Sequence, residues 1–317
     1  EQHATWSARW ASGLNTASPR LNWIGVEDFE QVRSKNAQET LFSDCTESVL
    51  AGNACYKDQF LRGFEHWLER TQDIRYFALL GNPGVAIGDV NGDGLDDIYI
   101  CQESGLPNRL FIQNPDGSVR DISEWAGVDW LENSRSALLV DLDNDGDQDL
   151  VVTTWPLTLI AENDGMGRFN LRGGHPAVGK AFSPTAVDYD NDGDLDIYLC
   201  GHGHGITGGV PRQSGRTSSW PIPYHDATNG GGNVLLENQG DLQFQDVTDQ
   251  VGLEHNNDRW TFAAAWEDYD RDGDMDLYVA NDFGRNNLYR NERGKFRDVA
   301  GDLGVEDMAG GMSVSWG

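Results

Sequence analysis

The chain has 317 residues, and its 52 acidic against 23 basic side chains give a formal net charge of −29 at pH 7. Such an excess of negative charge excludes nucleic acid and anionic membrane surfaces as favoured partners, because both carry the same sign. No run approaches the roughly 18 apolar residues that a membrane span needs, so we expect no membrane insertion. The charge is compatible with cation binding.

Residues 1–83 precede a series of acidic repeats and are predicted to form a small N-terminal helical segment. Apolar residues recur there at the spacing of an amphipathic helix: Phe60, Leu61, Phe64, Trp67 and Leu68. We expect one or two helices that pack on the rim of the second domain, residues 84–317. The chain starts at Glu1 rather than Met, which fits a mature form after leader removal and equally a shortened chain.

The four cysteines allow disulfides without requiring them. Cys45 and Cys55 lie ten residues apart, so a local disulfide is one prediction and two buried thiols are the other. Cys101 and Cys200 occupy the same place in two different repeats. A bond between them requires those repeats to converge near a common axis.

Four segments share the pattern D-x-[DN]-x-D-G-x-x-D, whose residues are numbered positions 1 to 9. They read GDVNGDGLDDIYI from residue 88, VDLDNDGDQDLVV from 140, VDYDNDGDLDIYL from 187 and EDYDRDGDMDLYV from 267. Positions 1, 3, 5 and 9 are Asp89, Asn91, Asp93 and Asp97 in loop 1; Asp141, Asp143, Asp145 and Asp149 in loop 2; Asp188, Asp190, Asp192 and Asp196 in loop 3; and Asp268, Asp270, Asp272 and Asp276 in loop 4. Position 6 is always glycine.

This pattern is typical of a cation cage. Oxygens at positions 1, 3 and 5 converge on one centre when the backbone curls, and the glycine permits the sharp turn that calcium loops need. A carbonyl at position 7 and the carboxylate at position 9 would complete the cage. Several hard oxygen ligands on a flexible loop favour Ca²⁺ over Mg²⁺, which predicts about four calcium sites. Ordinary solvated turns have a similar composition, but four matching copies favour the cage.

The loops differ from EF-hands in two ways. Position 12, which is glutamate in an EF-hand, is aliphatic in all four: Ile100, Val152, Leu199 and Val279. The flanking residues are short runs of strand formers rather than helices. Each unit therefore begins with a strand, a metal loop and a second strand.

The repeat continues with a third strand, a turn, a fourth strand and a D-(x)n-G-[VL] tail. In the last unit these are NNLYRN, ERGK, KFRDVA and DVAGDLGV. Position 1 recurs at residues 89, 141, 188 and 268, in steps of 52, 47 and 80. A period near 50 with four strands per unit predicts β-propeller blades.

These motifs resemble the FG-GAP (VCBS-type) repeat, the calcium-loop blade of integrin α-subunit heads. They are more similar still to bacterial repeat proteins of the CRTAC1 and ASPIC/UnbV type, in which DYDNDGDLDLYV, N-LYRN and F-DVT…AGV recur in the same order. The resemblance covers residue 84 to the C-terminus. It implies an all-β propeller of about seven four-stranded blades, with calcium bound by the residues at positions 1, 3, 5 and 9. Asn91 at position 3 carries no charge, so we expect loop 1 to bind more weakly.

The last residues, GGMSVSWG, read as the first strand of a fifth unit. Four blades and one strand would leave open sheet edges. We therefore expect the propeller to be incomplete at the C-terminus of this sequence.

The step of 80 residues places an insertion at residues 200–232, after the second strand of the third unit. Strands alternate in direction, so the insertion emerges on the face opposite the calcium loops, where the resemblance to integrin heads places ligands. Cys200, His202 and His204 alternate along the chain and form a candidate Zn²⁺ or Cu site. Its fourth ligand would be His225 or His175. Four further residues could form a ligand-binding lip or pin the loop to the blades: Arg212, Arg216, Trp220 and Tyr224.

Three functions remain open from the sequence. The first is a calcium-stabilised, secreted, periplasmic or cell-surface module for binding or adhesion, with a protein or glycan as ligand and no chemistry of its own. The second is a sugar or polysaccharide lyase or dehydratase that uses His202, His204, His225 and Tyr224. The third is a structural subunit of a larger assembly, docked through residues 1–83.

Overall fold

A computed structural model describes residues 2–11, 20–31, 43–70, 84–154, 156–176, 181–202, 224–308 and 310–316. These residues fall into two compact units, residues 1–45 and 46–317. The first unit is a two-stranded antiparallel hairpin of β1 (Gln2–Ala11) and β2 (Arg20–Gln31).

The hairpin differs from the prediction of one helical segment over residues 1–83. Aromatic and β-branched residues such as Trp23, Ile24 and Val26 favour strands, and the helical spacing behind the prediction comes from residues 60–68 only. The described helical turns lie in the second unit, at α1 (Thr46–Leu50), a π-helical turn (Tyr56–Phe60) and α2 (Phe64–Leu68). The predicted domain boundary at residue 83 lies outside the described residues.

The short helices pack on the first sheet of the second unit. The Asn53 amide donates to the Val119 carbonyl at 2.8 Å, and the Gln59 amide donates to the Pro107 carbonyl at 2.9 Å. The rings of Phe60 and Phe111 lie 5.9 Å apart. These contacts bury Cys55, whereas Cys45 is exposed, and no disulfide joins the two. The structure therefore shows neither predicted alternative, a Cys45–Cys55 disulfide or two buried thiols.

Four antiparallel sheets of four strands make up the rest of the second unit, and each is a simple meander in chain order. Sheet 1 contains β3 (Val85–Gly88), β4 (Asp97–Ile100), β5 (Arg109–Gln113) and β6 (Val119–Asp121). Sheet 2 contains β7 (Ser134–Val140), β8 (Asp149–Thr154), β9 (Leu157–Asn163) and β10 (Phe169–Pro176). Sheet 3 contains β11 (Ala181–Val187), β12 (Asp196–Gly201), β13 (Val234–Asn238) and β14 (Phe244–Asp246). Sheet 4 contains β15 (Trp260–Glu267), β16 (Asp276–Phe283), β17 (Asn287–Asn291) and β18 (Phe296–Asp298).

Alternate side chains of each strand pack on the two neighbouring sheets, as the two-residue period of a strand requires. In sheet 2, Val152 and Ala161 join the core shared with sheet 1, while Val151 and Ile160 join the core shared with sheet 3. Sheets 3 and 4 share a third core. The first strands of neighbouring sheets contact one another, so the sheets are stacked side by side like blades. The predicted all-β blade architecture is thus confirmed.

A one-turn helix follows the fourth strand of three sheets: α3 (Ser123–Ala126), α4 (Thr248–Val251) and α5 (Ala300–Leu303). Each corresponds to the D-(x)n-G-[VL] tail of the repeat. In α4 the Asp246 carboxylate accepts the Thr248 N–H at 3.0 Å, and Gly252 ends the helix at φ 91°. A left-handed residue at this place is the usual helix stop, and glycine adopts it without strain.

The residues of the predicted fifth first strand, 310–316, do not form a paired strand in the structure. Within residues 310–316, the Gly311 N–H donates to the Asn281 carbonyl at 2.9 Å, and the Trp316 indole N–H donates to the Ala265 carbonyl at 3.3 Å. The segment therefore lies along sheet 4 without a strand partner of its own among the described residues. Besides the hairpin, the described residues show four four-stranded sheets and no closed ring, and a total of about seven blades stays a prediction.

Candidate metal centre

The four acidic loops join the first and second strands of the four sheets. In each sheet the residue before position 1 pairs with the aspartate at position 9, so every loop closes at the same register. The pairs are Gly88 with Asp97, Val140 with Asp149, Val187 with Asp196, and Glu267 with Asp276. The φ angles at position 6 are 84° at Gly94, 96° at Gly146, 97° at Gly193 and 95° at Gly273. Only glycine adopts such angles readily, which explains its presence in every loop.

Hydrogen bonds wrap each loop around its first carboxylate. In loop 3, Asp188 Oδ2 accepts the Gly193 N–H at 3.1 Å, and Asp192 Oδ1 accepts the Asp194 N–H at 2.9 Å. The bond from position 6 to position 1 recurs at 2.7, 3.0 and 3.0 Å in loops 1, 2 and 4. The chain therefore folds back over position 1 in all four loops, as an ion cage requires.

Carboxylates at positions 1, 3 and 9 converge in three of the loops. One oxygen from each residue lies within 4.8 Å of the others in the groups Asp141–Asp143–Asp149, Asp188–Asp190–Asp196 and Asp268–Asp270–Asp276. In loop 2, Asp141 Oδ1 is buried without a hydrogen-bond partner, which is costly unless a cation takes that place. Three converging hard oxygens with an unpaired buried oxygen fit a divalent cation such as Ca²⁺.

The fourth predicted ligand of each loop, at position 5, is not part of these groups. Its carboxylate instead accepts the N–H of position 7, as Asp192 does in loop 3. Loop 1 differs further, because Asn91 replaces an aspartate and its amide donates to Asp93 Oδ2 at 3.1 Å. Loop 1 thus brings together fewer charges than the other three loops.

The aspartate at position 9 links each loop to the sheet behind it. In loop 3, Asp196 is 1 % exposed; its Oδ2 accepts the Tyr189 N–H at 3.3 Å and its Oδ1 accepts the Asn238 N–H at 2.8 Å. Burial, partly offset by these hydrogen bonds, raises the pKa of Asp196 to about 7 and the pKa of Asp149 and Asp276 to about 6. The neighbouring carboxylates of the same loops act in the same direction. A bound cation would supply the missing positive charge.

These raised pKa values predict an unusual pH dependence for the metal-free protein. Each carboxyl holds its proton more tightly folded than unfolded, so its stabilising effect is present at low pH and is lost as the pH rises through about 6 to 7. In EDTA we expect the Tm to fall between pH 5 and pH 7.5, as measured by calorimetry. Asp196→Asn should flatten that dependence, whereas a Tm that rises over the interval would contradict the assignment.

The structure describes two residues of the predicted Cys-His site, Cys200 and His202. Cys200 is fully buried in the core between sheets 3 and 4, and burial raises the pKa of its thiol, which disfavours the thiolate that metals bind. His202 Nε2 lies 3.3 Å from Asp282 Oδ2, and its ring packs against Phe262 at 4.6 Å. His204 lies outside the described residues, so the transition-metal site stays a prediction. Arg212, Arg216 and Trp220 also lie outside them.

The other cysteines and histidines of that prediction have separate surroundings. Cys101 is buried in the core between sheets 1 and 2, whereas Cys200 belongs to the core between sheets 3 and 4. A disulfide between them is therefore absent. His175 Nδ1 lies 3.0 Å from the Pro176 carbonyl, and the His225 carbonyl accepts the Gly284 N–H at 3.1 Å.

Sequence reasoning missed one set of residues at this site, the asparagines that end the third strands of sheets 2, 3 and 4. They are Asn163, Asn238 and Asn291. Each is buried beside a loop and donates hydrogen bonds to it. The recurring N in the N-LYRN motif was the available signal, but it does not indicate which loop the side chain contacts.

Comparison with known proteins identifies the repeat. A family model described as an FG-GAP-like repeat matches residues 89–152 and 268–317. Cartilage acidic protein 1 of Homo sapiens is 32% identical over 128 residues, which cover 38% of this chain and 19% of the relative. The Mus musculus protein is 30% identical over 123 residues, with 37% and 19% covered. The chain thus spans about a fifth of the length of the curated relatives it matches.

Solved structures resemble the chain more remotely. The V. cholerae biofilm matrix protein Bap1 has 17% identity and a TM-score of 0.35, with 68% of this chain and 30% of that chain covered. An Agrocybe aegerita lectin that recognises non-reducing terminal N-acetylglucosamine has 18% identity and a TM-score of 0.31, with 73% and 69% covered. TM-scores of this size are too low to transfer a ligand. In the described part of the chain, no helix is both long and apolar enough to cross a bilayer.

Proposed function

Since this chain is an FG-GAP-like repeat protein related to cartilage acidic protein 1, we propose that it is a calcium-stabilised module that binds a protein or a glycan outside the cell or in the periplasm. The observation that carries the proposal is the convergence of three carboxylates in each of loops 2, 3 and 4. Calcium there cancels the repulsion within each loop and fixes the connection between two strands. Its binding energy therefore contributes to folding stability.

The residues that would hold calcium are those at positions 1, 3 and 9 of loops 2, 3 and 4, with position 5 joining them when the ion draws the loop closed. Loop 1 has one fewer charge and would bind more weakly. Exposed loops of this kind suit the millimolar calcium found outside cells, since extracellular modules bind with Kd values of about 10⁻⁴ to 10⁻³ M. This supports a secreted, periplasmic or cell-surface location.

The ligand would bind at the end of the sheets away from the loops. First strands run toward the loops and second strands run away from them, so Trp260 and Phe283, at the start of β15 and the end of β16, lie at the opposite end. A cavity of about 340 Å³ lies at this end, lined by Thr228, Gly232, Glu254, Asn256, Asn257 and Asp258. Its size is within the range of small-ligand pockets. The hydroxyl, amide and carboxylate groups suit a hydroxyl-rich ligand such as a glycan.

A pair of matched variants tests this binding face. Asp258 is exposed at the cavity, and Asp241 is exposed in the β13–β14 turn at the loop end. On arrays of glycans and extracellular matrix proteins in 2 mM calcium, about the extracellular level that such modules require, we expect a specific ligand. Asp258→Asn should weaken its binding at least about tenfold, because a charged hydrogen-bond acceptor is lost. Asp241→Asn removes the same charge and should change it less than about twofold. Equal effects of the two variants would place the ligand elsewhere.

The other two functions stay predictions. A lyase or dehydratase that uses the insertion depends on His204, which lies outside the described residues. The described His202 bonds to Asp282 within a set of aromatic rings. Docking into a larger assembly through residues 1–83 likewise remains open.

A further inference from the structure

One asparagine holds the same place in sheets 2, 3 and 4, at the end of the third strand. Asn163, Asn238 and Asn291 are 3%, 4% and 0% exposed. A buried amide must satisfy two donors and one acceptor, and each of these does so in the same way. The acceptor oxygen takes a backbone N–H of the following turn, from Gly167, Gly240 and Gly294.

Each asparagine is bound to the loop of its own sheet. The Asn238 backbone N–H donates to Asp196 Oδ1 at 2.8 Å, and its Nδ2 donates to the Leu195 carbonyl, at position 8, at 3.2 Å. The same two bonds recur for Asn163 at 2.9 and 3.0 Å, and for Asn291 at 2.8 and 3.1 Å. The position of the asparagine therefore depends on the position of the carboxylate at position 9.

Each asparagine is also bound to the loop of the preceding sheet. Asn238 Nδ2 donates to the carbonyl of Leu142, at position 2 of loop 2, at 2.8 Å. The equivalent bonds run from Asn163 to Val90 at 2.9 Å and from Asn291 to Tyr189 at 2.7 Å. Position 2 lies between two predicted ligands, and its own N–H donates to the position 9 carboxylate of its loop, as Leu142 does to Asp149 at 3.0 Å. The residue at position 2, between two predicted ligands, is thus fixed through both its backbone N–H and its carbonyl.

These bonds form one continuous chain through all four loops. We infer that Asn163, Asn238 and Asn291 couple metal binding in neighbouring loops, so that filling one loop raises the affinity of the next. The inference rests on the proposed calcium binding. An ion that orders positions 1, 3 and 9 of one loop also fixes the asparagine beside it. The adjoining loop then loses less conformational entropy when its own ion binds, so its affinity is higher. The effect is reciprocal between the two loops.

A second, exposed link joins the same loops and provides a control. Asn144 Nδ2, at position 4 of loop 2, donates to Asp194 Oδ1 of loop 3 at 2.8 Å. Because this bond is exposed to solvent, water replaces it at little cost. Asn144→Gly therefore removes the exposed link between the same two loops, and Asn238→Ala removes the buried one. Glycine is the control substitution because Asn144 has a φ of 61°, which alanine adopts only with strain.

The coupling is tested by measuring calcium affinity in single and double variants. The NMR signals of the position 6 glycines report calcium binding in each loop. Selective ¹⁵N labelling of glycine follows the amides of Gly146 and Gly193, which donate to the first carboxylates of loops 2 and 3. Asp188→Asn removes a charged ligand of loop 3, and calcium titration of the full chain then gives the affinity of loop 2. We expect Asp188→Asn to weaken loop 2 about fivefold or more in the wild-type background. The effect should be less than about twofold with Asn238→Ala and unchanged with Asn144→Gly.

The possible outcomes distinguish a failure of the inferred coupling from a failure of the proposed calcium binding. If Gly146 and Gly193 do not respond to calcium, the proposed calcium function itself fails. If both respond but Asp188→Asn leaves loop 2 unaltered, or weakens it equally in the Asn238→Ala background, the coupling is overturned while calcium binding stands. Should Asn238→Ala not fold, Asn238→Gln decides in its place. Glutamine already occupies the equivalent position of sheet 1, where the Gln113 N–H donates to Asp97 Oδ1 at 2.8 Å. It should fold and reduce the coupling, and full coupling in that variant would contradict the inference.

Discussion

Removing calcium with EDTA from the protein in about 10 mM calcium should lower its Tm by at least about 8 °C. With Kd values of about 10⁻⁴ to 10⁻³ M, calcium that binds only the folded state adds about 1.4 to 2.7 kcal/mol per site, so the three complete loops add about 4 to 8 kcal/mol. Each kcal/mol shifts the Tm of a chain of this size class by about 2 to 4 °C. Loss of the ions also exposes the repulsion among the converging carboxylates of each loop.

The measurement is differential scanning calorimetry at pH 7.5 in calcium and in EDTA. Adding back calcium should restore the Tm, whereas an equal concentration of magnesium should restore only part of it, because Mg²⁺ sheds its water reluctantly. Identical melting curves in calcium and EDTA would remove the calcium assignment.

The second large effect is expected for Asp196→Ala. This change removes a predicted calcium ligand and leaves the buried N–H groups of Tyr189 and Asn238 without their acceptor. Each unpaired buried donor costs about 1 to 3 kcal/mol, so we expect a loss of about 3 to 5 kcal/mol in calcium, measured by urea unfolding.

Two further variants separate the causes. Asp194→Ala removes the same charge from position 7 of the same loop, where the proposed ligand is a backbone carbonyl, and should cost less than about 1 kcal/mol. Asp196→Asn keeps one acceptor oxygen but places an amide NH2 against the second backbone N–H, so it should destabilise the protein in both conditions. The loss should be larger in calcium, where the charge of a predicted ligand is lost as well. Equal losses for Asp196→Asn in both conditions would show that the residue is structural only.

The metal loops could be predicted because everything that forms them lies within nine residues. Spacing alone placed positions 1, 3 and 9 around a centre, and the glycine at position 6 identified the turn. Position 5 was less predictable, since its carboxylate has a competing local partner in the N–H of position 7. The four-stranded blades followed from the repeat length, which is also a property of the sequence alone.

The contacts between sheets could not be predicted in the same way. The side-chain donors Asn163, Asn238 and Asn291 lie 73, 96 and 102 residues from their acceptors in the preceding loops. No local pattern encodes such a pairing. The hairpin of residues 2–31 was missed for another reason. The helical prediction was extended to it from the spacing at residues 60–68, although residues such as Trp23, Ile24 and Val26 favour strands.

The helices that cover the first sheet give it surroundings that the other described sheets do not share. Phe111 and Val119 face Phe60 and its neighbours, whereas the corresponding faces of sheets 2, 3 and 4 meet another sheet. The four units are thus similar in sequence but not interchangeable in packing. Protein engineering could duplicate sheet 2 or sheet 3 without creating a new kind of junction, because each already packs between two sheets. A copy of sheet 1 placed between two sheets would instead bury the surface that receives the helices.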